Sequence, residues 1–165
     1  MKHQWIGLGL AGLLAVAVPA YAQQAKGDNE FQLQGSVSIG ISGQNKTDFG
    51  SVEMKYGRFI TDYQQLGLEV TGFITGNNSI AGYGGPFYRY NFSKDKVVPY
   101  VGVGAAAYFG SQGIGKGATV DFEGGVRYFL DRRTAFTAAA TTGYSFDNHT
   151  FADNLQFLVG FSHLW

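Results

Sequence analysis

Apolar and polar side chains alternate with a period of two along much of this 165-residue chain. The stretch from Leu155 to Trp165 shows the pattern most clearly, because its odd positions are almost all apolar or aromatic and its even positions are small or mixed. A period of two predicts a β-strand, since successive side chains of a strand point to opposite faces. A strand this apolar that stops on Trp165 favours a closed membrane barrel, which leaves no free edge, over the buried edge strand of a soluble β protein.

The same alternation predicts seven earlier strands. With the last one, they lie at residues 31–43, 49–60, 64–74, 83–92, 97–109, 118–130, 134–146 and 155–165. The register of the seventh stays open, because its Ala and Thr runs give little contrast between the two faces. The odd-numbered connections are longer and rich in Asn, Gly, Asp and Ser, whereas the others are short and charged, as in outer-membrane barrels. The expected fold is an all-β, eight-stranded, antiparallel up-and-down transmembrane β-barrel with both termini on one side.

The first 22 residues predict a signal peptide. A basic start is followed by an uncharged run over residues 6–18 and by a small-x-small cleavage triplet that ends at Ala22. A transmembrane helix is the rival interpretation, but the run is short for a span of about 20 residues and Gly and Pro interrupt it. We therefore expect a signal peptide at 1–22 and a barrel domain at 23–165, with residues 23–30 forming a polar periplasmic tail.

The composition narrows the possible functions. The chain has no Cys, which excludes a disulfide framework and a thiolate metal site. Twelve basic residues balance twelve acidic ones, so nothing suggests a nucleic-acid surface. The 25 Gly, 14 Phe and 10 Tyr suit long strands with a crowded interior and aromatic girdles. We expect no cofactor, no metal ion and no nucleic-acid partner.

Charged side chains fall on the lumen-facing positions of the predicted strands, where a soluble sandwich would place apolar groups. The seven are Glu53, Lys55, Glu69, Arg89, Asp121, Glu123 and Arg127. An eight-stranded barrel is just wide enough for its interior to be filled by side chains. Since buried charges must pair, we interpret the seven as a salt-bridge core, and a gated ion path is the alternative.

Strand pairing predicts partners for the two arginines. Pairing the third and fourth strands about residues 78–79 places Glu69 opposite Arg89, and pairing the fifth and sixth about 113–114 places Tyr100 level with Arg127. The planar guanidinium group can hold a carboxylate with two hydrogen bonds and stays charged. Both arginines are therefore expected to bind carboxylates drawn from Glu53, Glu69, Asp121 and Glu123.

Three stretches carry a resemblance to a known family. They are the runs VPYVGVGA from Val98, GGVRYF from Gly124 and GFSHLW from Gly160. Together with the strand spacing, they resemble the small eight-stranded outer-membrane barrels of the OmpA, OmpX and OmpW type, over the whole chain after residue 22. The resemblance implies a monomeric, porin-like protein of the Gram-negative cell envelope, in contact with outer-membrane lipid and lipopolysaccharide.

The terminal strand resembles the insertion signal of such barrels through Gly160, Phe161, His163 and Trp165. The resemblance implies that the barrel-assembly machinery recognises this strand. His163 departs from the family pattern, which usually has an aromatic or aliphatic residue there. We expect His163 to lie at the periplasmic girdle beside Trp165.

Three functions stay open for such a barrel. The first is a structural or surface-interaction role with a closed polar lumen and no catalysis. The second is passage of small apolar solutes through a side opening, for which an upper cavity could be lined by Phe73, Phe87, Tyr100 and Tyr108. The third is a lipid A-modifying enzyme, but the deacylases of this fold use a His and a Ser two positions apart on one outward face. Ser162 and His163 are adjacent and point to opposite faces, so no catalytic residue is expected.

Overall fold

The computed structural model describes residues 24–40, 50–74, 80–110, 117–146, 150–151 and 154–165. The predicted signal peptide lies outside these residues. The described strands are β1 (Asn29–Gly40), β2 (Gly50–Phe59), β3 (Gln64–Ile74), β4 (Ile80–Asn91), β5 (Val97–Gly110), β6 (Ala118–Phe129), β7 (Thr134–Ser145), β8 (Thr150–Phe151) and β9 (Asn154–Leu164).

The strands form one closed antiparallel barrel. From β1 to β7 each strand pairs with the next one in the chain, β7 pairs with β9, and β9 pairs with β1. The two residues of β8 pair with the last two residues of β7, Tyr144 and Ser145. The other eight strands make the wall. The predicted eight-stranded architecture is confirmed. The prediction that residues 23–30 form a tail is wrong for the last two of them. Asn29 and Glu30 are the first residues of β1 and pair with β2.

The barrel has its apolar side chains outside and its polar side chains inside. The exposed outward set includes Phe31, Leu33, Val52, Met54, Leu66, Leu68, Val70, Val101, Val103, Phe122, Phe136, Phe157, Val159 and Phe161. In water such a surface would expose far more contiguous apolar area than a soluble monomer tolerates. The same surface in a bilayer faces hydrocarbon, while the closed ladder satisfies the backbone. The wall is therefore built to be surrounded by lipid.

Aromatic rings cluster at the end of the barrel where β1 begins and β9 ends. The ring of Tyr56 lies 6.1 Å from that of Trp165, and Tyr90 meets Phe92 edge-on at 5.2 Å. The ammonium group of Lys96 lies 5.0 Å from the ring of Tyr128. Tyr and Trp rings of this kind mark the level where hydrocarbon meets water. This end is the periplasmic one, because short turns face the periplasm in such barrels.

The three described turns at the periplasmic end are tight and charged. In one of them, the Asp131 carboxylate accepts hydrogen bonds from the backbone N–H groups of Arg133 and Thr134, both at 2.7 Å. A side-chain hydrogen bond from Lys94 at 2.8 Å holds the pKa of Asp62 below its usual range. Above the turns, the lumen is floored by an apolar cluster of Phe59, Val98, Phe129, Ala135 and Leu164. This layer separates the polar lumen from the periplasm.

No helix in the described part of the chain has the length and apolarity to cross a membrane.

Candidate functional site

The structure places the seven charged residues predicted for the lumen on inward positions of β2, β3, β4 and β6. Six of them are at most 9% exposed, namely Glu53, Lys55, Glu69, Arg89, Glu123 and Arg127. Asp121 is half-buried and lies two positions before Glu123 on β6, on the same inward face. Alternation along each strand brings these residues inside, since every outward neighbour is apolar or faces lipid.

Lys55 is the centre of an upper network that consists of Lys55, Glu53, Glu69 and Glu123. Its ammonium nitrogen lies 2.8 Å from Glu69 Oε2 and 3.2 Å from Glu53 Oε1, and it also contacts Glu123 Oε2. Neutral groups bind further carboxylate oxygens: the hydroxyl of Tyr100 donates to Glu123 Oε1 at 2.6 Å. One cation thus holds three carboxylates in a buried interior.

Further hydrogen bonds strengthen the upper network and tie it to two more strands, β1 and β7. The amide of Gln34 donates to Glu53 Oε1 at 2.8 Å, and the hydroxyl of Thr71 donates to Glu53 Oε2 at 3.3 Å. Gln34 in turn accepts a hydrogen bond from Thr137 at 3.2 Å. Polar side chains on β1, β3 and β7 therefore hold the charged side chains of the upper network in place through hydrogen bonds.

Arg127 is the centre of a lower network that consists of Arg127, Glu30, Gln24, Asn91 and Gln65. Its Nη1 donates to Glu30 Oε1 at 2.7 Å, and its Nη2 donates to Gln24 Oε1 at 3.0 Å and to Asn91 Oδ1. Gln65 donates to the other oxygen of Glu30 at 2.6 Å. This network seals the lumen directly above the apolar floor.

Arg89 joins the two networks. Its guanidinium nitrogens lie 3.5 Å from Glu30 Oε2 and 3.6 Å from Glu123 Oε1, and its Nη1 donates to Gln32 Oε1 at 2.8 Å. The guanidinium carbon sits 4.3 Å from the centre of the Tyr100 ring, close enough for a cation–π interaction. Arg89 is 1% exposed, so the middle of the lumen is filled by a fixed positive charge.

The predicted pairings of the arginines are wrong in register. Glu69 stands opposite Gly85, and Arg89 stands opposite Gln65. Tyr100 stands opposite Gly125, and Arg127 is level with Val98. The predicted partner lies four residues from the observed one for Arg89 and two residues for Arg127, so the inward parity is kept and the partner changes. Of the predicted carboxylates, only Glu123 lies within ion-pair distance of an arginine among the described residues.

The lower network depends on residues that the sequence analysis missed. Glu30 falls in the predicted tail, although it shares the inward parity of Gln32 and Gln34, and a first strand that begins one residue earlier includes it. Gln24 carries no such signal. The segment before β1 folds beneath the barrel and inserts this fully buried side chain, whose amide nitrogen donates to the carbonyl oxygens of Asp62 and Ser93.

The described lumen leaves little free space at the level of the upper network. A cavity of about 10 Å³ lies between Glu69, Tyr83, Phe87 and Asp121, and a single water molecule needs about that volume. The upper cavity predicted for apolar solutes is not formed by Phe87 and Tyr100, which are 4% and 2% exposed and pack on the arginines. The side chain of Phe73 lies outside the described residues. The lumen is therefore plugged at the level of the two networks.

The terminal strand separates the two residues considered for catalysis. Ser162 is buried in the lumen, and His163 is exposed on the outer face, where its ring stacks on Trp165 at 6.3 Å. The imidazole Nδ1 lies 3.2 Å from the hydroxyl of Thr134, and no other hydroxyl contact of this ring is found among the described residues. His149, which flanks the last predicted loop with Ser145 and does not have the catalytic spacing either, lies outside the described residues. The expected girdle position of His163 is what the structure shows.

No protein-family model and no curated protein sequence matches this chain. Solved structures match its fold. The N-terminal β-barrel domain of Pseudomonas aeruginosa OprF aligns with a TM-score of 0.69 at 15% identity, over 86% of this chain and all of that domain. The outer membrane protein OprG of the same organism aligns with 0.57 at 11% identity, over 88% and 99%. Neisserial surface protein A aligns with 0.57 at 12% identity, over 83% and 94%.

The fold and the apolar outer surface both indicate a barrel that spans a membrane. All three matches are small barrels, and their likeness to this chain extends over more than four fifths of its length. An even-numbered closed antiparallel barrel with an apolar outer wall and a polar interior is the architecture of bacterial outer-membrane proteins. The chain is a transmembrane β-barrel of the outer membrane.

Proposed function

We propose that this protein is a non-enzymatic outer-membrane barrel whose closed polar lumen serves as a rigid anchor for a structural or surface-interaction role. The observation that carries the proposal is the plug formed by the upper and lower networks, which cross the lumen from wall to wall. A pore needs a continuous water path, whereas here Lys55, Arg89 and Arg127 each contact carboxylates from other strands. Moving any of them would leave buried charges uncompensated.

A second candidate is passage of small apolar solutes through the wall between β4 and β5. The ladder of these strands is interrupted, because Gly84 pairs with Ala107 and Phe87 with Gly104 while the two positions between them are unpaired. Pro86 has no N–H group to donate there. In this structure the wall is nevertheless closed, since an added Cβ on Gly85 would lie 1.9 Å from the Ala105 carbonyl oxygen.

One experiment separates the two functions. Protein reconstituted into planar bilayers and into vesicles is expected to give no steady ion conductance and no faster entry of a small apolar solute than empty membranes. Steady conductance of the wild-type protein would contradict the closed lumen. Solute entry without conductance, abolished by a disulfide between cysteines introduced at Pro86 and Ala105, would replace the anchor role by lateral passage.

We further propose that the protein is a monomer and that the barrel-assembly machinery recognises its terminal strand. This proposal is supported by the exposed outward series of Phe161, His163 and Trp165 on β9, the strand that closes the barrel against β1. Deleting Trp165 is expected to lower the amount of protein in the outer membrane without lowering its synthesis. Pulse-labelling followed by membrane fractionation measures both quantities, and deletion of the exposed Lys26 side chain (Lys26→Ala) is the control. Equal outer-membrane levels of the truncated and full-length proteins would contradict it.

A further inference from the structure

A cleft of about 350 Å³ opens at the periplasmic rim, beneath the end of β9. Its walls come from the turn between β6 and β7, from the segment before β1 and from the end of the chain, as Arg132, Arg133, Ala25, Asp28, Leu164 and Trp165. Leu164 also belongs to the apolar floor of the lumen. The two networks of the closed lumen use none of the other five side chains. The cleft is far larger than the cavity inside the barrel.

The two arginines of the cleft are free to bind an anion. Both are exposed, and neither forms an ion pair with any other described residue. The neighbouring Asp131 is occupied by its own turn, and its hydrogen bonds from the backbone N–H groups of Arg133 and Thr134 hold its pKa below the usual range. Asp28 accepts the backbone N–H of Ala25 at 2.8 Å. Arg132 and Arg133 thus line a cleft in which the Asp28 carboxylate, like that of the neighbouring Asp131, already accepts a backbone hydrogen bond.

The cleft also adjoins the lipid. Trp165 is half-exposed on the outward face of the barrel, and its ring lies between those of His163 and Tyr56 in the periplasmic girdle. The same residue forms part of the cleft wall, so the opening reaches the boundary between hydrocarbon and water. An anion that fits this position carries an apolar body beside its charge.

We propose that Arg132 and Arg133 bind the phosphate group of an anionic phospholipid in the periplasmic leaflet, with Trp165 packing beside the glycerol and upper acyl region. Guanidinium groups hold phosphate oxygens with paired hydrogen bonds, which an ammonium group cannot do. A free phosphate ion would not use the aromatic wall. The site gives the barrel a fixed lipid contact at one point of its circumference, beyond the anchor role.

Trp165 makes the site measurable, because the chain has only one other tryptophan, Trp5. The full chain carrying Trp5→Phe is expressed, purified from membranes and reconstituted into phosphatidylcholine vesicles that contain a brominated lipid. Bromine quenches tryptophan fluorescence only on contact. Brominated phosphatidylglycerol is expected to quench Trp165 more than brominated phosphatidylcholine does. The relative affinity for phosphatidylglycerol derived from this quenching is expected to be roughly fivefold higher for each arginine that binds it.

The matched variants decide the assignment. Arg132→Gln with Arg133→Gln is expected to bring the two lipids to parity, while Lys94→Gln with Lys96→Gln removes the same charge from another periplasmic turn and keeps the preference. Equal quenching by both lipids in the wild-type background, or a preference that survives loss of both arginines, would overturn the proposal. Loss of the preference on adding millimolar inorganic phosphate would show a free-anion site instead of a lipid site.

Discussion

Replacing Lys55 with methionine is expected to lower the free energy of unfolding by about 3–5 kcal/mol, because the other buried charges stay behind without their cation. Lys55 is the shared partner of Glu53, Glu69 and Glu123. These carboxylates have side-chain exposures of 4–7%, so water cannot replace the lost ammonium group. Methionine keeps the length and most of the apolar volume of the side chain, which confines the change to the charge.

Equilibrium urea unfolding in phospholipid vesicles measures this effect. The matched control is Lys94→Met, which breaks the exposed ion pair of a periplasmic turn with Asp62. That pair lies in water, so its loss is expected to change the unfolding midpoint only slightly. A second variant, Lys55→Met with Glu69→Gln, removes one of the stranded carboxylates and is expected to recover part of the lost stability. If Lys55→Met and Lys94→Met unfold alike, the upper network does not hold the barrel together.

Parity along the strands was predictable from the sequence because it is a local property. A lumen-facing charge such as Glu69 stands between apolar neighbours, Leu68 and Val70, and both of these are exposed on the outer wall. A register error of one residue would have inverted this pattern and been visible at once. The alternation alone therefore predicts which of the charged side chains point into the lumen.

The partners of those charges were not predictable in the same way. An error of four residues, which is two repeats of the strand, moves Arg89 from Gln65 to a position opposite Glu69 without changing either face. The arginines also reach across the lumen rather than to the next strand: Arg127 on β6 contacts Glu30 on β1, which lies 97 positions away in the chain. No spacing rule gives such a contact. The insertion of Gln24 from below depends in turn on the shape of the finished barrel floor.

Glycine positions show the same division between local pattern and assembled structure. Gly160 resembles part of an insertion signal in the sequence, and the structure adds a packing reason for it. It lies on β9 opposite Gln34 of β1, on the inward side of the seam that closes the barrel. A Cβ at this position would lie 2.0 Å from the Leu33 carbonyl oxygen and 2.7 Å from Gln34 Cα. Backbone atoms cannot move aside as a flexible side chain can.

Gly160→Ala is therefore expected to lower the free energy of unfolding by about 1–3 kcal/mol, the usual effect of one forced methyl group in a packed interior. Gly124→Ala is the control, because a Cβ on that outward glycine meets no atom within 4 Å. Urea unfolding in vesicles compares the two variants, and the fraction that migrates as a folded barrel in unheated gel samples reports closure of the seam. A Gly160→Ala protein as stable as Gly124→Ala would show that β1 and β9 can separate enough to admit a methyl group. Any defect in membrane assembly would then come from recognition of the terminal strand and not from its fit against β1.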